Sequence, residues 1–123
     1  DNALSISNTM TLTTAGTETG LTETTGLARK KIASSSLADL ITVANTDVTA
    51  AKSAKVYIKN TSTATDKYGL VGIGDSSGTP IYIGRLYGGD WMLIPWDANS
   101  GEDITMTMSD TTATIIEYMV FFE

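Results

Sequence analysis

The chain has 123 residues and contains neither cysteine nor histidine. Without cysteine there is no disulfide, no thiolate zinc site, no iron–sulfur cluster and no cysteine nucleophile. Without histidine the chain lacks the side chain that most often acts as a general base. These two absences exclude the commonest catalytic and zinc-binding constellations. We therefore expect a protein that is not an enzyme, with no cofactor and no catalytic or metal-binding residues.

Basic residues are also scarce. Eight Lys and Arg stand against fourteen Asp and Glu, which gives a formal net charge of −6 at pH 7. Nucleic-acid binding depends on cations that neutralise phosphates, so we expect no nucleic-acid partner. No apolar run approaches the roughly 20 residues that span a bilayer, so we expect no membrane partner.

Threonine and serine are abundant, with 21 Thr and 11 Ser. Near the start of the chain, Leu4, Ile6, Met10 and Leu12 occupy even positions and polar residues lie between them, which predicts a strand over about 3–14. The stretch that follows, to residue 26, is rich in Thr and Gly and too poor in apolar residues to bury much surface. We divide the chain into residues 1–26, an N-terminal arm or edge strand with a Thr/Gly-rich loop, and residues 27–123, a β-sandwich domain. Two alternatives stay open for the arm: it pairs with a neighbouring subunit, or it is the first strand of its own sandwich.

Short alternating segments separated by turn signals follow from residue 54 onward. Their spacing of about ten residues predicts an all-β fold, an antiparallel β-sandwich that is jelly-roll-like. Residues 34–44 are ambiguous, and we predict a strand over 38–44 rather than a two-turn helix; residues 47–53 are expected to include one helical turn. The expected core consists of the apolar positions of these strands, Val56, Ile58, Leu70, Ile81, Ile83, Leu93, Ile104, Met106, Met108, Ile116, Tyr118 and Val120.

Four short motifs admit a chemical interpretation. Gly72, Gly74 and Gly78 are interpreted as a hairpin turn, because no helix and no Lys-Ser/Thr pair completes a phosphate loop. The run Asp97–Asp103 offers oxygen ligands, but its glycine comes at the wrong position for an EF-hand, so a turn is favoured and calcium binding stays open. Glu117, inside an apolar strand, is interpreted as an edge or interface acid rather than a general acid. Asn60-Thr61-Ser62 matches the glycosylation pattern and is interpreted as a turn.

Eight of the nine aromatic residues lie after residue 67. Such residues fill sandwich cores, anchor interfaces and stack on sugars. Trp91 and Trp96 are five positions apart, so on a regular strand they face opposite sides, with one in the core and one pointing outward. The possible interface residues are Leu4, Ile6, Met10, Leu12, Trp91 and Trp96.

Residues 55–123 resemble a group of small bacteriophage virion proteins. The resemblance lies in the strand Val56-Tyr57-Ile58-Lys59-Asn60, the Gly-x-Gly hairpin, the strand Trp91-Met92-Leu93-Ile94-Pro95-Trp96 and the closing segment Ala113–Glu123. It implies a structural role in a virion, assembled in the host cytoplasm, most simply as a capsid decoration or cement protein. The implied partners are the major capsid protein or other virion proteins, and the implied state is a homo-oligomer, with a trimer preferred. A tail, fibre or baseplate component and a carbohydrate-binding module are the alternatives.

Overall fold

The computed structural model describes residues 4, 5, 7, 9, 23, 24, 26–33, 36–43, 52–99 and 101–122. Over these residues the chain forms nine strands and no helix: β1 (Glu23–Thr24), β2 (Ala28–Ile32), β3 (Ala38–Ile41), β4 (Lys52–Asn60), β5 (Tyr68–Ile73), β6 (Ile81–Tyr87), β7 (Trp91–Ala98), β8 (Ile104–Met108) and β9 (Thr114–Phe122). Within the described ranges, no helix is long and apolar enough to cross a membrane.

The strands form two antiparallel sheets. In the first, β9 pairs with β4, β4 pairs with β7, and both β1 and β2 pair with the outer side of β9. The second has the order β3-β8-β5-β6. The pairs β2–β9, β3–β8, β4–β7 and β5–β6 are nested, as if one long hairpin had been rolled into a sandwich. This is the double-sheet jelly roll, and it confirms the predicted all-β sandwich.

The core lies between the sheets and is built from alternate residues of each strand. Seven of the expected core residues are buried there: Val56, Ile58, Ile104, Met106, Met108, Ile116 and Val120. Tyr118 is partly buried and packs against them. The alternation of β4, β8 and β9 therefore predicted the inward face correctly, and in β4 and β8 the opposite face is largely polar.

The remaining four core predictions were wrong. Leu70 and Leu93 are partly exposed, while their neighbours Val71 and Ile94 contribute to the core. Both β5 and β7 contain consecutive apolar residues, so alternation alone does not determine their inward face.

In β6 the core predictions failed at a β-bulge. Val71 pairs with Gly84 and Gly72 pairs with Tyr82, which leaves Ile83 as an extra residue between them. The bulge changes the phase of the strand, since one inserted residue exchanges the two faces beyond it. Ile83, the inserted residue, is 48% exposed. Ile81 pairs with Ile73 beyond the bulge and is 75% exposed at the start of an edge strand.

The strand predicted over 38–44 is present over Ala38–Ile41, whereas Thr42 and Val43 are not in a strand. The helical turn expected over 47–53 was wrong for Lys52 and Ser53, which belong to β4; residues 44–51 lie outside the described part of the chain. Two other local predictions are confirmed. Gly74 has a φ of 126°, as a hairpin glycine should. The basic residues 29–31 lie exposed on β2 at the margin of the first sheet, where charge discourages further pairing.

Candidate functional site

The strands β6 and β7 are edges of different sheets, yet they follow one another in the chain. Residues 88–90 connect them and cross from one sheet to the other. On its outer side, neither strand pairs with another strand of the described residues. We call this side of the sandwich, formed by residues 81–98, the open margin.

Large apolar side chains are concentrated on the open margin. The described residues include eight large hydrophobic side chains that are exposed, and five of them belong to the margin: Ile81, Tyr82, Ile83, Tyr87 and Trp91. Single exposed hydrophobic residues are normal on a protein surface, whereas a concentration of them on one side points to an interaction site. The open margin is therefore the candidate binding surface.

A groove runs between the two sheets at this margin. It has a volume of about 450 Å³, and its apolar walls come from Ile73, Ile83, Ile94 and Trp96. Asp97 and Glu102 lie at its polar end. The groove is a continuation of the core to the surface, because three of its wall residues also belong to or pack against the core.

The two tryptophans have different environments. Trp96 is 5% exposed, and its indole Nε1 donates a hydrogen bond to the carbonyl oxygen of Glu102 at 2.8 Å. Trp91 is 63% exposed, on the outer face of the first sheet. The expectation of one inward and one outward indole is confirmed, and Trp96 is a core residue rather than an exposed interface residue. Pro95, between them, lies on an edge strand, where a missing N–H is tolerated.

The outer face of the first sheet holds a small polar and aromatic cluster beside Trp91. The ring of Tyr57 lies 6.4 Å from that of Trp91. Its hydroxyl is 3.3 Å from Glu117 Oε1, and Arg29 Nη2 lies 3.1 Å from Glu117 Oε2. Burial, together with the charge of Glu117, raises the pKa of Tyr57 above 10.0. Glu117 thus has a cation and a phenol as partners, as an acid on a sheet surface requires, and these contacts suit a structural role.

Three carboxylates meet at one end of the second sheet. Oxygen atoms of Asp39, Asp75 and Asp103 lie within 4.8 Å of one another. Carboxylates so arranged are of the type that binds calcium. Each of them already accepts a backbone N–H: Asp39 from Ser76, Asp75 from Ser77, and Asp103 from Val43. Asp39 thus ties β3 to the loop 74–80, Asp75 stabilises that loop from within, and Asp103 holds the backbone of Val43. Of the run Asp97–Asp103, only its last residue takes part.

The N-terminal interface residues are described only in part. Leu4 is 84% exposed and lies outside any strand, whereas Ile6, Met10 and Leu12 lie outside the described residues. Sequence reasoning missed Ile81 and Ile83 as surface residues. Alternation in the segment Ile81–Tyr87 pointed to a core strand, whereas Ile83 is the residue of the bulge and Ile81 begins an edge strand.

Comparisons of the chain with protein-family models, with curated proteins and with solved structures found no match. No residue therefore takes a role from a relative. What the protein can bind follows from its own surface, which offers an apolar groove, an exposed indole and two strand edges.

Proposed function

We propose that the protein is a non-enzymatic structural protein of a bacteriophage particle, and specifically a capsid decoration or cement protein that binds the major capsid protein. The observation that carries the binding role is the open margin, with five exposed large apolar side chains within eleven residues. The phage setting rests on the resemblance of residues 55–123 to small virion proteins.

The fold supports the same setting by analogy. Double-sheet jelly rolls are used in viral capsid domains and in lectins. Fold alone does not define function, so the analogy matters only together with the surface. A decoration protein needs binding surfaces and no catalytic centre, and an apolar margin on a stable sandwich meets that need.

Trp91 is the residue we expect to anchor the partner. Tryptophan is enriched among the few residues that carry most of the energy of an interface. Its indole is exposed in the free chain and is supported from one side by Tyr57. Covering it would remove a large apolar area from water without any rearrangement of the core.

The test is binding to phage heads that lack the protein. We expect the purified protein to cosediment with such heads and to be seen on their surface by electron microscopy. Trp91→Ala should weaken binding at least tenfold, because removal of a buried indole costs more than 1.4 kcal/mol. Ile115→Ala, an exposed apolar residue beside β2 on the opposite margin, is the matched control and should bind normally. Labelling of the tail instead of the head would favour the tail, fibre or baseplate alternative.

The Trp91–Tyr57 pair favours a second candidate, a carbohydrate-binding module. Exposed aromatic rings can stack on sugar rings. Titration of polysaccharides while tryptophan fluorescence is recorded tests this candidate. A saturable change in fluorescence that Trp91→Ala abolishes would support it, provided that the protein does not bind phage heads.

A further inference from the structure

We propose that residues 4–12 of one copy bind to a second copy as an added strand, paired with the free edge of β6, with Leu4, Ile6, Met10 or Leu12 in the partner's groove. The inference rests on the proposed role of the open margin as a binding surface. It names a second copy of this chain as the occupant of the β6 edge and the groove, which leaves Trp91 free to bind the capsid protein.

The acceptor is a strand edge beside an apolar groove. β6 is seven residues long, and β5 is the only described strand that pairs with it. Its outer N–H and C=O groups can therefore pair with an incoming strand. Gly84, at the middle of β6, has no atom within 4 Å of the position of an added Cβ, so the face of the strand is uncovered at that point. The groove beside it would accept side chains from one face of the new strand.

The donor has the matching pattern. Four of its five even positions are apolar, with Asn8 as the exception, and its odd positions are Ser or Thr, so a strand made from it has one mainly apolar and one polar face. On β6 the apolar face would meet Ile83, Ile94 and Trp96 in the groove, while the hydroxyls would face water. In the isolated chain Leu4 is 84% exposed, and Ser5, Ser7 and Thr9 are exposed too. None of the residues that the structure describes therefore covers Leu4.

The connection is long enough to reach a neighbour. The chain joins the first sheet at β1, on the side of β9 that is remote from the open margin. From β1 to β7 there are three strand spacings, or about 14 Å. The ten residues 13–22 span roughly 16–19 Å as a coil and about 33 Å when extended, which allows exchange between adjacent subunits. Reciprocal exchange closes a dimer and cyclic exchange closes a trimer, so either gives a closed oligomer.

The first experiment is light scattering on the full chain. We expect an oligomer, with a mass that is a multiple of 13.0 kDa, that dissociates on dilution. The double variant Leu4→Ser/Ile6→Ser should raise its dissociation constant at least tenfold, since each substitution removes an apolar side chain from the groove. The matched control Ser5→Ala/Ser7→Ala changes the opposite face and should leave the oligomer intact.

The second experiment locates the contact. Amides of β6 should exchange with deuterium more slowly in the oligomer than in Leu4→Ser/Ile6→Ser. Ile83→Ser, at a half-exposed position of the groove, should weaken the oligomer while its melting shows that the sandwich is folded. Three results would overturn the inference. The wild-type protein could be a monomer, including one in which its own arm slows the exchange of the β6 amides. The protein could be an oligomer that Leu4→Ser/Ile6→Ser does not weaken, or an oligomer in which the β6 amides exchange as fast as in that variant.

Failure here is distinguishable from failure of the proposed function. None of these measurements requires phage particles. A monomer that binds phage heads through Trp91 would reject strand exchange and keep the decoration role. If the oligomer depends on Leu4 and Ile6 but binds no part of the phage particle, strand exchange is supported and the role in a virion is rejected.

Discussion

The side chain of Asn60 joins the two sheets at the open margin: its Nδ2 donates a hydrogen bond to the carbonyl oxygen of Leu86 at 2.9 Å. Asn60 ends β4 in the first sheet and Leu86 lies on β6 in the second. Its Oδ1 accepts the N–H of Ser62 at 3.0 Å, and the residue is fully buried. A buried amide held on both sides is a structural residue, which confirms the turn interpretation of Asn60-Thr61-Ser62.

We predict that Asn60→Ala lowers the free energy of unfolding by about 2 kcal/mol. The substitution leaves a buried carbonyl and an N–H without partners, and each unsatisfied group costs about 1–3 kcal/mol. Chemical denaturation with urea measures the change. Thr63→Ala, at an exposed position of the same turn, is the control and should change stability by less than about 0.5 kcal/mol. Equal stability of the two variants would contradict this account.

Two glycines of the margin should respond differently to alanine. A Cβ on Gly88 would lie 2.5 Å from the carbonyl oxygen of Ala64 and 2.7 Å from that of Ser62, and these backbone atoms cannot easily move. A Cβ on Gly84 meets nothing within 4 Å. We expect Gly88→Ala to destabilise the fold by more than about 1 kcal/mol, and Gly84→Ala to be neutral or slightly stabilising because alanine reduces the entropy of the unfolded chain.

Thermal melting of the two variants side by side is the measurement. A stable Gly88→Ala protein would mean that the turn 88–90 is looser than the structure shows.

Ile58 and Ile81 make a direct test of which side chains the sandwich buries. Ile58 is fully buried, whereas Ile81 is 75% exposed. Ile58→Asp should prevent folding, since a buried carboxylate without a partner costs several kcal/mol. Ile81→Asp should fold normally, although the alternation of its strand predicted a core position. Circular dichroism and solubility of both proteins show whether each is folded. An unfolded Ile81→Asp protein would mean that Ile81 is a core residue, as the alternation of its strand predicted.

The ion pair of Asp110 with Lys67 gives a pH dependence with a definite sign. The backbone N–H of Thr111, followed by Lys67 at 3.4 Å, lowers the pKa of Asp110 below 3.8. Because the folded state prefers the carboxylate, Asp110 contributes stability above pH 3.8, and this contribution is lost as the pH falls through the lowered pKa.

We therefore expect the melting temperature of Asp110→Asn to be below that of the wild type at pH 7, with a gap that closes at pH 2. The pair is exposed, so the gap should also shrink in 1 M salt. A gap that is the same at pH 7 and pH 2 would mean that some other property of Asp110 is responsible.

Strand positions could be predicted from the sequence because they depend on local chemistry. Alternation in segments such as Ala54–Asn60 and turn residues such as Gly74 act over a few residues. The strand β4 and the hairpin at Gly74, which the sequence predicted, are features of this kind. Alternation also assigned the inward face where only one face was mainly apolar, as in β4 and β8. It failed in β5 and β7, which have apolar residues on both faces.

The sequence by itself determined an all-β chain with a core of alternating residues and no Cys or His chemistry. Only the tertiary structure decided that β6 and β7 are edges at one side, that a bulge exposes Ile83, and that Asp103 meets Asp39 and Asp75. Strand pairing joins residues far apart in the chain, as between Ile58 and Tyr118, 60 positions apart. Such pairing depends on how the whole sandwich closes, so no local pattern of residues encodes it.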